Sequence, residues 1–248
     1  MATSETITSE TIYIIGNGPS LNKIDISRLK GKDTISFNRA YIAYNDWGFF
    51  PKYYMAADTI VLQNIKEKVR ELTETTPIEK FFLPQWSKEY FGNNTKICYL
   101  NFIDSLFLKR RIWGVNFNRL SLIANVGATS IPVLKILGYK NFIILGTDCN
   151  YIESDLKNVD IEYNPDDRSG RRIVYKSSGD NDPNHFRPDY FGTGTEYSKP
   201  QQVNHYKGWE FIAKNMKRKK INIILCSPGS RLAGLFPVGN FEEIVRKY

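Results

Sequence analysis

The sequence predicts an α/β fold: a mostly parallel sheet with helices on both faces. Three observations carry this. From residue 11 onward, short runs rich in Ile, Phe, Tyr and Leu alternate with segments of helical periodicity, the order that arises when each parallel strand needs a crossover to reach the next. The first run passes directly into a glycine-flanked turn, GNGPSL (16–21). Hydrophobic residues at 42% and charged residues at 24%, in a chain of 248, match ordinary globular composition and supply one sizeable core.

The strands read as TIYII (11–15), DTISF (33–37), YYMAA (53–57), KFFLP (80–84), KICYL (96–100), NFIILG (141–146) and INIILC (221–226). Between them, residues 59–72 place Ile60, Val61, Asn64, Ile65, Val69 and Leu72 near one helical stripe. SIPVLKIL (130–137) puts Pro132 in a first turn capped by Thr129 or Ser130. A third helix begins at Pro200 and runs through Trp209, Phe211 and Ile212 to Met216. The result is one Rossmann-like domain, 11–248, behind a flexible polar tail, 1–10. Residues 150–199 break the alternation. They are polar, yet hold Tyr151, Tyr163, Tyr175, Phe186, Tyr190, Phe191 and Tyr197, so they read as a lid over the carboxyl edge of the sheet, where open α/β sheets bind ligands.

Composition narrows the function classes. No apolar run approaches the roughly 20 residues that span a bilayer, and MATSETITSETIYI lacks the basic and apolar regions of a secretory signal; a cytoplasmic location is expected. Cys98, Cys149 and Cys226 show no CxxC spacing, so they read as buried small hydrophobes. The net charge of +8 gathers in LKRRIW (108–113), DDRSGRR (166–172) and KNMKRKK (214–220). The last is a solvated helix face. In the first, Phe107 and Trp113 flank Lys109, Arg110 and Arg111, a mixture suited to anionic head groups or an anionic glycan, which would bring the protein to the inner face of the membrane. Nucleic acid is not among the expected partners.

GNGPSL is neither GxGxxG nor a P-loop, which ends in GKS or GKT. Gly16 and Gly18 permit close backbone approach or positive φ; Pro19 can start a helix; Ser20 can cap it or bond a phosphate at its N-terminus. A turn with no ligand stays open as an alternative. Asn17 is more than such a turn needs, and equivalent polar residues recur as Asn38 after the second strand and Asp58 after the third. Three successive strands thus each deliver a short polar side chain, as a nucleotide or sugar-phosphate pocket requires.

GNGPSLNKIDISRL with SFNRAY, ILGYKNFIILGTDCNY (136–151), NDPNHF (181–186), HYKGWEFI (205–212) and INIILCSPGS (221–230) occur in the order found in the bacterial sialyltransferases of glycosyltransferase family 42, which the chain resembles over roughly residues 12–245. The front block also resembles the motility accessory factors and archaeal hydroxymethylpterin pyrophosphokinase-like proteins, and Asp58 sides with that group, since the sialyltransferases carry Asn there. The resemblance implies a single-domain GT-A-like variant of the Rossmann-like fold and an inverting transfer of an acidic keto-sugar, sialic acid or 3-deoxy-manno-octulosonate, from a CMP donor to a glycan or glycolipid acceptor. It also admits a homo-oligomer. Asn17 and Asn38 fall on positions that bind the donor's phosphate and ribose, Asp58 beside the donor, Asn125 and Gly127 on a loop touching nucleotide or sugar, and Gly146, Thr147 and Asp148 on the cytidine cradle. His185 falls on the catalytic histidine. The family's two lid tyrosines are not both matched: Asn150 occupies the first place, with Tyr151 and Tyr163 as nearby substitutes.

The chemistry fits the residue types. Only His185 and His205 are histidines, and imidazole is the natural base for an acceptor hydroxyl near neutral pH. The amides of Gly16 to Ser20 and lid hydroxyls would stabilise charge on the departing phosphate. A CMP leaving group carries one phosphate, so neither metal nor other cofactor is expected; Asp148-Cys149-Asn150 reads as a capped turn, unless a diphosphate donor calls a divalent ion to Asp148. Two alternatives remain: a pterin pyrophosphokinase-like phosphotransferase leaning on Asp58 and Asp148, and a non-catalytic nucleotide-sugar-binding accessory protein.

Overall fold

The computed structural model describes residues 10–105, 113–114, 116–152, 160–163 and 173–248, with the backbone alone for 103–105, 160–163, 173 and 174. The first five strands are β1 (Thr11–Ile15), β2 (Thr34–Phe37), β3 (Tyr53–Met55), β4 (Lys80–Pro84) and β5 (Ile97–Leu100). They lie side by side in chain order, every neighbouring pair parallel. A short parallel pair follows, β6 (Phe102–Ser105) with β7 (Leu120–Leu122). The chain then crosses to the other side of β1 to add β8 (Asn141–Leu145) and, after a small antiparallel sheet of β9 (Asp160–Tyr163), β10 (Ile173–Lys176) and β11 (Glu196–Ser198), the last strand, β12 (Asn222–Leu225). The main sheet therefore runs β12-β8-β1-β2-β3-β4-β5. All seven strands expected from the sequence are its members. Strand order reverses between β1 and β8, and a crevice opens at such a switch point, outside the carboxyl ends of the strands.

Burial on both faces explains why the strands read as continuous apolar runs. Ile12 and Ile14 of β1 face the layer that includes Ile131, Val133, Trp209 and Ile212, whereas Tyr13 and Ile15 face Leu62, Ile65, Val69, Phe241 and Val245. The first layer is formed by α4 (Val126–Leu137) and α5 (Gln202–Lys219), the second by α2 (Thr59–Thr75) and α6 (Phe241–Lys247). The single turns α1 (Tyr44–Trp47) and α3 (Lys88–Phe91) sit in the connections.

Three features differ from expectation. Helix α4 starts at Val126, not 130: the Asn125 side chain caps it by accepting from the Ala128 amide at 2.8 Å, so Thr129 and Ser130 are interior and Pro132 lies inside the helix rather than in its first turn. Glu10, expected in the flexible tail, is held: its carbonyl accepts from the amides of Lys140 and Asn141, both at 2.9 Å. Trp113 is 6% exposed, packs against Phe211 and carries the Lys219 ammonium over its ring. It belongs to the core and does not face a membrane; Phe107, Lys109, Arg110 and Arg111 lie outside the described residues. Of the cysteines, Cys226 is buried and the other two are half-buried. No described helix is long and apolar enough to cross a membrane.

Beyond β10 the chain returns to the carboxyl edge. There, Asn64 of α2 donates to the Glu196 carbonyl at 2.7 Å, and the Phe186 amide donates to the Asn17 carbonyl at 2.9 Å. The segment 182–196 is thereby fixed against the turns that follow β1 and β3.

Candidate active site

The turn after β1 closes on the turn after β8. Gly16 donates its amide to the Leu145 carbonyl at 2.8 Å, Gly18 to the Gly146 carbonyl at 2.7 Å, and Ser20 to Oδ2 of Asp148 at 2.8 Å. A Cβ on Gly16 would stand 2.4 Å from the Gly146 oxygen, and one on Gly18 2.5 Å from Asp148 Oδ2. Gly146 itself takes a φ of +59°. The glycines are thus required by backbone meeting backbone, and Gly18, at a φ of −75°, does not use positive φ. The amides of Gly16, Gly18 and Ser20 are bonded within the protein, and Pro19 has none to offer. Pro19–Lys23 forms a 3-10 turn, with Asp148 as its anion.

What the turn does present is acceptors. Asn17 donates through Nδ2 to the Phe37 carbonyl at 3.1 Å and to the Tyr190 hydroxyl at 2.9 Å, which orients the amide and leaves its buried Oδ1 without a partner. Asn38 ends β2 in the left-handed region at a φ of +51°, a conformation Asn tolerates better than most residues. Its carbonyl accepts from the Tyr54 hydroxyl at 2.6 Å, while its Oδ1 is likewise buried and unpartnered. The same holds for Asp148 Oδ1 and Ser20 Oγ. Each such buried polar atom costs about 1–3 kcal/mol unless something meets it. Four of them stand at the ends of β8, β1 and β2, adjacent strands about 5 Å apart. Such a row suits a ligand rich in hydroxyl and amino donors.

His185 stands beside this row. Its Nδ1 is 2.7 Å from Asp182 Oδ2, and a carboxylate only accepts, so Nδ1 carries a proton, and in the neutral ring the lone pair falls to Nε2. The two side chains are 17% and 11% exposed, a shielded setting that strengthens the bond. The Asp182 loop is closed on itself: Asn184 donates its amide to Asp182 Oδ1 at 2.8 Å, and Asp182 its own to the Pro188 carbonyl at 3.0 Å. The imidazole lies flat on Tyr190, ring centres 3.9 Å apart, with Phe191 edge-on at 5.1 Å. Asn22 donates to the Phe186 carbonyl at 2.8 Å and so ties the residue after His185 to the β1 turn. Burial pushes the Tyr190 phenol far above its ordinary pKa and keeps it neutral. Sequence reasoning missed Asp182 and Tyr190 as site residues. The D-x-x-H spacing in NDPNHF was the available signal for the first; nothing marked Tyr190 beyond its being aromatic.

A second cluster lies at the start of α5. The Tyr151 hydroxyl and His205 Nδ1 are 3.0 Å apart. Burial, opposed by the charge of Asp58, pushes His205 down to about 4, and burial together with Cys149, Asp148 and Asp182 raises Tyr151. Tyr151 therefore stands in the field of both the β8 turn and the His185 partner. Asp58 caps α2 by accepting from Val61 at 3.0 Å. Asn125 spends its side chain on the α4 cap and on the His205 carbonyl, 3.3 Å away. A Cβ on Gly127 would stand 3.0 Å from the Trp209 ring, so that position serves the packing of α4 on α5. Both residues thus have structural roles at the start of α4. Thr147 is held by Ser227 and Ser230 of the loop after β12, and Asn150 donates to the Gly229 carbonyl at 2.7 Å, so Asp148 and Asn150 point to different partners. Among the described residues no group of three His, Cys, Asp or Glu side chains is placed to hold a metal. Tyr163 ends β9, and its side chain lies outside the described residues.

A parallel sheet with its switch point at β1 and β8, and polar side chains gathered at that carboxyl edge, defines a Rossmann-like α/β fold. No family model matches the sequence, and no curated protein matches it. Solved structures do match in fold. The chain is similar to the monofunctional alpha-2,3-sialyltransferase Cst-I from Campylobacter jejuni, with a TM-score of 0.55 at 17% identity over 96% of this chain and 84% of that one. An alpha-2,3-sialyltransferase from Campylobacter jejuni in apo form gives 0.50 at 18% identity over 96% and 84%. A variant of the Campylobacter jejuni sialyltransferase CST-II in complex with CMP gives 0.50 at 18% over 93% and 86%.

Proposed function

We propose that the protein is an inverting glycosyltransferase that moves an acidic keto-sugar, sialic acid or 3-deoxy-manno-octulosonate, from a CMP donor to a glycan acceptor. The observation that carries this is the Asp182–His185 pair, stacked on Tyr190 and joined through its hydroxyl to Asn17 at the switch point. The fold likeness to sialyltransferases, one of them bound to CMP, supports the choice of donor.

In this reading the acceptor hydroxyl attacks the anomeric carbon from the face opposite the phosphate. The new C–O bond forms as the bond to CMP breaks, and His185 Nε2 takes the hydroxyl proton while Asp182 stabilises the resulting imidazolium. The unpartnered acceptors on Asn17, Asn38 and Asp148 would receive ribose or sugar hydroxyls and the cytosine amino group. The phosphate is then served by side chains instead of turn amides. With His205 Nδ1–H donating to the Tyr151 oxygen, the phenol proton is free for the departing phosphate, and Tyr163 is the second candidate for that role.

The test is nucleotide release from CMP-sialic acid, CMP-octulosonate, UDP sugars and ATP, each with and without EDTA. CMP release that survives EDTA is expected. Turnover only of ATP with magnesium would instead identify a phosphotransferase, and binding without turnover an accessory protein.

A further inference from the structure

We propose that Arg39 is the carboxylate-binding residue of this site, gripping the carboxylate of an acidic sugar beside His185; the inference rests on the glycosyltransferase reading above. Arg39 directly follows the left-handed turn at Asn38, and its amide donates to the Tyr190 hydroxyl at 3.4 Å, so its backbone is held by the same phenol on which His185 stacks. Together with Asn64 of α2, Phe191 and Glu196 it lines a narrow crevice. There the Nε is buried and meets no acceptor. Lys52, by contrast, is partly shielded and paired with Asp33 at 3.0 Å. Among the described residues no carboxylate stands within ion-pair distance of Arg39, although Glu196 lines the same crevice.

A guanidinium whose buried Nε–H goes unanswered costs free energy in the unliganded protein. Here it also sits where charge has to be balanced. Asp58, Asp148 and Asp182 already place carboxylates at this edge, and the donor adds a phosphate and a carboxylate. The planar fork of Arg matches a carboxylate in two parallel hydrogen bonds, which a single ammonium cannot do. That carboxylate belongs either to the donor keto-sugar or to an acidic acceptor, and the chemistry of recognition is the same for both.

The experiment measures equilibrium binding of CMP and CMP-sialic acid in a His185→Ala background, and KM values in the wild-type background for sialylated and neutral acceptors, in each case with Arg39, Arg39→Gln and Arg39→Lys. If the donor supplies the carboxylate, Arg39→Gln weakens CMP-sialic acid about 10- to 100-fold and leaves CMP within about threefold. If the acceptor supplies it, donor binding holds and only the KM for the sialylated acceptor rises by that factor. In either case Arg39→Lys falls between, and thermal stability of Arg39→Gln is equal to or above that of the parent, since no internal bond is lost. Equal weakening of CMP and CMP-sialic acid would overturn the proposal in favour of a phosphate contact, and unchanged binding and KM throughout would overturn it outright. Failure of the Arg39-intact protein to bind any CMP-sugar sinks the glycosyltransferase reading itself, a result distinct from intact binding in Arg39→Gln.

Discussion

In the proposed reaction Asp182 would do for His185 what an orienting carboxylate does for any imidazole base: fix the tautomer and favour the protonated ring after proton transfer. Asp182→Asn keeps the loop's shape yet removes the charge, so kcat should fall about 10- to 1,000-fold with donor KM little changed, as steady-state kinetics at saturating acceptor would show; an unchanged kcat would strip Asp182 of that role. His205 makes a claim on stability. The unfolded chain's ring takes a proton near pH 6.5, whereas the folded ring refuses it until about pH 4. Between those values the unfolded state binds more protons, so the contribution of neutral His205 is complete above pH 6.5 and is lost as pH falls toward 4. Urea titrations at pH 7 and pH 5 should therefore differ by on the order of 1–2 kcal/mol through this group, and His205→Gln should shrink the difference. Asn125, read from the sequence as a ligand contact, spends both ends of its amide internally. Asn125→Ala should cost about 1 kcal/mol of stability through the lost cap and leave donor KM near wild type.

The elements were legible where a single segment decides its own form. Seven apolar runs became seven parallel strands because a sheet covered on both faces leaves no polar face to interrupt the run. The start of α4 was misplaced because Pro132 looks like a first-turn residue, while the cap that sets the helix is a hydrogen bond formed at Asn125. The closure of the β1 turn on the β8 turn could not be read at all. Gly16 and Gly18 advertise a close approach, but whether to a ligand or to Gly146 and Asp148 depends on β1 and β8 becoming neighbours. Gly18→Ala should accordingly disturb the Ser20–Asp148 bond and cost about 1–3 kcal/mol, by chemical denaturation, whereas Gly179→Ala, with open space around its Cβ, should be nearly neutral. Equal effects at the two positions would contradict the packing role.

At the scale of the molecule, one sheet brings together residues that are far apart in sequence: Asn17, Asn38, Asp58 and Asp148 at strand ends, and the Asp182–His185 loop folded back over them. The strand-end residues were legible because position after a strand implies the carboxyl edge. In the loop, His185 was legible through its lid position, the NDPNHF block and the family resemblance, but not its partners, since the contacts that define the loop, from Phe186 to Asn17 and from Asn17 to Tyr190, join segments about 170 residues apart. The resulting architecture shares its fold with the Campylobacter jejuni sialyltransferases at 17–18% identity, so the claim of function stands on the site. Its most direct test is the rate of CMP release from CMP-sialic acid with acceptor by the wild-type protein and by His185→Ala, with matched unfolding curves. The account predicts transfer by the wild type and a loss of about 100- to 10,000-fold in the variant; wild-type rates in a folded His185→Ala protein would contradict it.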